Sequence, residues 1–150
     1  MQVKNGTQSS DAIALPVTAA GPSIFSANLS GTGPAAVLNE DGITVNSAAA
    51  PATRGSVISI FATGEGQTNP SGVDGLIAAS LPFPRPRQPV SVRIDGQPAE
   101  VTYAGAAPGQ VAGLMQVNVK IPANVTVGDV PVEIQVGDAK SQPGMTIAVK

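Results

Sequence analysis

Valine and isoleucine outnumber leucine by 28 to 6 in the 150 residues of this chain. Their branched Cβ crowds the preceding turn of a helix but packs well on a pleated sheet, so the bias favours strands. Their placing agrees. Val130, Val132, Ile134 and Val136 alternate with Pro131, Glu133 and Gln135, the period-two pattern of a strand with one buried face. Gly137-Asp138-Ala139-Lys140 then turns the chain into a second alternating trio, Met145, Ile147 and Val149, which predicts a C-terminal hairpin. Val90, Val92 and Ile94 lead into Asp95-Gly96, the pair that best tolerates the two positive φ angles of a tight hairpin turn. Residues 100–103 are the returning strand.

Further strands are predicted over 56–63, apolar enough to lie centrally, and over 35–38, 43–45 and 114–120. Turn formers separate them: Gly31-Thr32-Gly33-Pro34, Asn39-Glu40-Asp41-Gly42 and Pro108-Gly109. No window of about 11 residues or more carries helical periodicity. Many short strands joined by turn chemistry, without helical crossovers, predict an all-β fold, an antiparallel β-sandwich. Phe25 and Phe61 read as core.

Residues 21–150 read as one such domain, and residues 1–20 as a separate N-terminal strand or hairpin. The two ends resemble each other at a spacing of 132, with Ser9, Ile13, Leu15 and Val17 matching Ser141, Met145, Ile147 and Val149. Read as a repeat, they make the first 17 residues the closing hairpin of a preceding module in a tandem array.

The chain has no histidine and no cysteine. That excludes Ser-His-Asp and Cys-His nucleophile systems, cysteine or histidine zinc and haem sites, and disulfides within it. The acidic residues are scattered, and Asp41, Asp95 and Asp138 stand at turns, so a glycosidase-like carboxylate pair is disfavoured and no cofactor is expected. A net charge of −2 supplies no basic footprint for nucleic acid. The longest charge-free stretch, 12–39, is broken by proline and glycine and does not read as a membrane span. The start carries no secretory signal pattern, and the chain reads as part of a larger protein.

Six turn motifs occur in order: Pro22-Ser23-Ile24-Phe25, Leu38-Asn39-Glu40-Asp41-Gly42, Pro51-Ala52-Thr53-Arg54-Gly55, Ala62-Thr63-Gly64-Glu65-Gly66, Tyr103-Ala104-Gly105-Ala106-Ala107-Pro108-Gly109 and Gly113-Leu114-Met115-Gln116-Val117-Asn118. Together, over residues 22–149, they resemble the Solibacter-type uncharacterised C-terminal domain repeated across many exported proteins of Acidobacteria. Ser23 departs from the glycine usual there. The resemblance implies an immunoglobulin-like module of large surface or secreted proteins, hence an extracellular or cell-surface location. It brings no assigned catalytic residues.

Residues 64–89 form the longest stretch without a clear strand, and long loops in compact domains are often functional. Glu65, Gln67, Asn69 and Asp74 offer oxygen ligands suited to calcium, although their spacing fits no EF-hand; ordinary turn chemistry around Asn69-Pro70-Ser71-Gly72 is the preferred reading. Leu81-Pro82-Phe83-Pro84-Arg85-Pro86-Arg87 is predicted to be extended. It is either a docking strip presenting Phe83, Arg85 and Arg87 or, as preferred, a rigid connection or proline-protected edge. Tyr103 either lines a ligand site or bonds nearby backbone through its hydroxyl, the latter preferred. Gln116 and Asn118 share one strand face, where they either satisfy a neighbouring loop or meet solvent.

These readings converge on a non-catalytic module, a structural spacer or adhesion domain whose partners are neighbouring domains, an extracellular protein or a glycan. The alternative is an extracellular carbohydrate- or ligand-binding module using Tyr103 and the 64–89 segment. Replacing Gly96 with Val is expected to destabilise the fold by on the order of 1 kcal/mol or more, because a β-branched residue resists positive φ; an unchanged melting temperature would argue against the assigned turn.

Overall fold

The computed structural model describes residues 1–150. A detached hairpin, β1 (Lys4–Asn5) and β2 (Gln8–Ser9), precedes the body. The body begins with the short strands β3 (Ser23–Ile24), β4 (Gly33–Pro34) and β5 (Val37–Leu38), followed by β6 (Val57–Thr63) and a small hairpin of β7 (Thr68–Asn69) and β8 (Arg85–Pro86). It continues through β9 (Val90–Ile94), β10 (Gln97–Ala106), β11 (Met115–Lys120), β12 (Gly128–Val136), β13 (Ala139–Lys140) and β14 (Met145–Val149).

The predicted alternation is met in the long strands. Val130, Val132, Ile134 and Val136 are buried while Pro131 is exposed. In β6 the buried residues are Ile58, Ile60 and Ala62, which leaves Phe61 half-buried on the outer face and corrects its assignment to the core. Phe25 is corrected likewise: Ile24 takes the inward position and Phe25 is 43% exposed. Asp95 and Gly96 both have positive φ, 53° and 72°, in the tight turn between β9 and β10.

One continuous sheet runs β3-β6-β11-β10-β9-β12-β14-β4, with β5 also on β6 and β13 on β12. The sheet is curled into a half-barrel, and its two halves enclose a single cluster of 22 buried apolar residues. Taking each valine or isoleucine out of water contributes roughly 1.5–3 kcal/mol before chain entropy is counted. The curl passes through β10, whose first residues pair with β9 and whose later ones pair with β11. The register with β11 shifts between Val101 and Tyr103, leaving Thr102 as an extra residue. Such a bulge bends the strand and reverses which face the following side chains take. Ala104 accordingly packs on the core, and Tyr103, opposite Asn118, turns to the outer face.

The expected all-antiparallel pairing is modified at the free edge. β14 pairs in parallel with β4, part of a segment expected only as a turn, and Val149 makes a parallel bridge with Ala52. Residues 33–38 cross from that edge to the other one. Ala35 N–H donates to Thr146 O at 2.9 Å, Ala36 N–H to Phe25 O at 2.6 Å, and β5 pairs with β6. The strand predicted over 43–45 is reduced to its last residue: Val45 makes an antiparallel bridge with Leu38, with Asn39 N–H donating to Thr44 O at 2.8 Å and Asn46 N–H to Val37 O at 2.9 Å. The Asp41 carboxylate accepts the N–H groups of Ile43 and Thr44 at 3.0 and 2.8 Å, which folds the segment into a turn and leaves Ile43 82% exposed.

Two side-chain amides complete the seam. Buried Asn46 accepts Ala148 N–H at 2.8 Å and donates to Ala148 O and Asn39 Oδ1. Gln142 accepts Ile24 N–H at 2.9 Å and donates to Ile24 O at 2.6 Å. Each acts as a detached peptide group, satisfying backbone that no strand reaches. Asn46→Ala removes the acceptor of a buried N–H and is expected to cost about 2 kcal/mol or more in chemical denaturation. A variant within the error of the parent would show that water substitutes for the amide.

Candidate functional site

The chain enters the body under two glycines at the end of β6. Gly64 and Gly66 have φ of 79° and 73°. A Cβ on Gly64 would collide with Gly21 O, and one on Gly66 with Ala19 O. Gly21 N–H donates to Gly64 O at 2.9 Å. The Gly64-Glu65-Gly66 motif is therefore a seat for residues 19–21. Its conformation also places the Glu65 side chain under cover.

Glu65 is 8% exposed, and its buried Oε2 has no hydrogen-bond partner. Burial pushes its carboxyl above the ordinary carboxylate range. It lines a polar cleft of about 680 Å³, together with Gln67, Thr68, Asp74 and Arg87. Of the four oxygen ligands proposed for calcium, Glu65, Gln67 and Asp74 share this cleft. Asn69 does not: it pairs with Arg85 in the β7–β8 hairpin and lines a shallow depression beside Arg85 and Arg87. A cation in the cleft would also meet the Arg87 side chain, and no group of three or more acidic side chains converges anywhere in the chain.

The proline strip is tied to the body on both sides. Arg85 and Pro86 pair with Asn69 and Thr68, Arg87 N–H donates to Gln67 O at 2.8 Å, and Pro84 O accepts Ala106 N–H at 2.8 Å. Gly105 makes this approach possible, since a Cβ there would stand 2.7 Å from Pro84 O and 2.9 Å from the Tyr103 hydroxyl. The strip's backbone is thus engaged from Pro84 to Arg87. Its side chains differ in fate: Phe83 is half-buried, while Arg85 and Arg87 are exposed.

Arg85 and Tyr103 are brought together. The guanidinium carbon lies 5.1 Å from the centre of the Tyr103 ring, a cation–π distance, and both side chains line a shallow groove. The Tyr103 hydroxyl donates to Ala106 O at 2.7 Å, the backbone bond preferred from sequence. Burial pushes the phenol above its ordinary value; Arg85 opposes the shift and Glu65 adds to it. Arg87 bonds Thr68 O through Nε at 3.2 Å and lines both this groove and the cleft. Phe83 lines neither this groove nor the cleft.

Within the same long segment, residues 76–78 are tied to residues 109–112. Ala78 N–H donates to Gln110 O, Gly109 N–H to Ala78 O and Ala112 N–H to Leu76 O, all at 2.8 Å. Gln116 and Asn118 bond each other at 2.8 Å, and Asn118 also accepts the Ser59 hydroxyl at 3.0 Å, so their partners lie on the sheet itself.

Comparison of this chain with family models, with curated proteins and with solved structures finds no match. No helix is long and apolar enough to cross a membrane.

The raised Glu65 value carries a pH signature. Below the unfolded-state value of 4.5 both states hold the proton, and the fold bears no cost from this group. As pH rises through the raised folded value, the unfolded chain has already ionised and stability falls. Glu65→Gln is therefore expected to raise the melting temperature relative to the parent at about pH 7, and to change it little at about pH 4. Equal shifts at the two pH values would show that charge is not the burden.

Proposed function

We propose that this chain is a non-catalytic, immunoglobulin-like β-sandwich module of a larger exported or cell-surface bacterial protein, serving as a spacer or adhesion domain. The observation that supports this reading is where the body holds its two ends. The entering chain is seated on Gly64 and Gly66, just past the last residue of β6. The leaving chain is held one turn before the first: Lys150 N–H donates to Ala52 O at 2.8 Å, and Arg54 N–H donates to Lys150 O at 3.2 Å. The seven residues of β6 therefore separate entry from exit, a span of about 23 Å at roughly 3.3 Å per residue. A body gripped at opposite ends of one strand passes orientation and load from one neighbour to the next. The resemblance to the Solibacter-type domain supports the exported setting.

A second reading, an extracellular carbohydrate or ligand module, rests on the polar cleft and the unpartnered Glu65 carboxylate within it. Pulling the chain by its two ends in a single-molecule instrument separates the readings. A spacer is expected to unfold in one event that releases roughly 400–450 Å of chain. Many small low-force steps, or saturable binding on a glycan array or in a calcium titration, would favour the ligand module.

A further inference from the structure

The detached hairpin repeats the hairpin that closes the body, bond for bond. β1 and β2 pair Lys4 with Ser9 and Asn5 with Gln8; β12 and β13 pair Gln135 with Lys140 and Val136 with Ala139. Every one of these positions is shifted by 131. The same shift carries Gly6, φ 60°, onto Gly137, φ 59°. It also carries an unusual exchange. Val3 N–H donates to the Ser10 hydroxyl at 3.1 Å and Val3 O accepts Ser10 N–H at 2.9 Å. Ile134 N–H donates to the Ser141 hydroxyl at 3.0 Å and Ile134 O accepts Ser141 N–H at 2.8 Å. In both hairpins a serine hydroxyl takes the place of a ladder carbonyl at the same step. The serine that matches Ser141 is thus Ser10, one residue beyond the Ser9 suggested by sequence.

After the serine, the C-terminal copy has one residue more, Gln142-Pro143-Gly144 against Asp11-Ala12. The strands then match at a shift of 132. Ile13 N–H donates to Met1 O at 2.9 Å, and the β12–β14 register, continued one step from Pro131 opposite Thr146, sets Val132 opposite Met145. Ile13 therefore occupies the place of Met145, and the same shift carried along the chain sets Leu15 and Val17 at those of Ile147 and Val149. The two copies also differ in cover. The C-terminal trio is at most 1% exposed, whereas Ile13, Leu15 and Val17 are 64%, 55% and 94% exposed. A lone two-stranded hairpin is marginal in water and buries nothing by itself.

We infer that residues 1–17 are the closing hairpin of another module of this same fold, which supplies the cover they lack here. This deepens the reading of the chain as one module of a larger protein and rests on it. The occupant is fixed by an interface already described: the matching hairpin lies between β9 and β4, so the partner presents an open edge of that kind. The period agrees, because the buried body runs from Ala20 to Val149 and fills the interval between the copies. Pro16 stands at the place of Ala148, whose N–H Asn46 accepts, so the partner lacks that one bond.

The test transplants the hairpin. In the full chain, residues 132–149 are replaced by residues 1–17 carrying Pro16→Ala and one glycine inserted before Ile13. A β-rich circular dichroism spectrum and one cooperative melt are expected, with both lost when the transplanted residues are scrambled. A second variant places residues 20–131 ahead of Met1, where the native hairpin closes the added body and two cooperative units are expected in calorimetry. If the transplant behaves like its scrambled control and the longer chain melts as one unit, the inference is overturned. Both variants read only whether the hairpin fits, so they can fail while the pulling experiment still supports a spacer.

Discussion

The fold depends on how a curled sheet disposes of its two free edges. An open edge leaves a row of N–H and C=O groups that must find partners or invite other chains. Here residues 33–38 join the edges, with β4 on β14 and β5 on β6. Where that short crossing runs out of backbone, Ala52, Asn46 and Gln142 take over. Closure by main chain plus two side-chain amides lets valine and isoleucine faces meet across one interior without a helix to cover either side.

The same economy governs the loops. Gly64, Gly66 and Gly105 mark places where one stretch of backbone lies directly on another, with no room for a side chain. The proline strip and the entering segment are held in this way, by hydrogen bonds at close approach more than by apolar burial. The cost falls on Glu65, whose carboxyl sits under cover without a partner, an arrangement that disfavours its charged form.

The regular strands were legible because period-two alternation is a direct readout of one buried face. The turn at Asp95-Gly96 was legible because few residues accept positive φ. Three features were not. The bulge at Thr102 is set by the bending of β10 between two partners, and no local residue announces that it sends Tyr103 outward. The strand expected at 43–45 shrinks to a bridge at Val45, because the Asp41 side chain holds the N–H groups of Ile43 and Thr44 in a turn. Asn46 and Gln142 lie about a hundred residues in sequence from the backbone they satisfy, so their roles exist only after folding. Of the candidate site residues, Arg85 and Tyr103 come together, Arg87 lines both their groove and the cleft, and Phe83 lines neither. The spacing in sequence could not separate them, because the register of the proline strip is fixed by Gly105 on another strand.

The seat beneath residues 19–21 has a mechanical consequence. With Gly21 bonded to Gly64 and no space below Ala19, that stretch has little freedom to swivel. With residues 1–17 closing the preceding body, flexing between bodies is left to Thr18 and the peptide bonds beside it. Bodies joined this way would behave as stiff rods, with bending confined to about one residue at each joint.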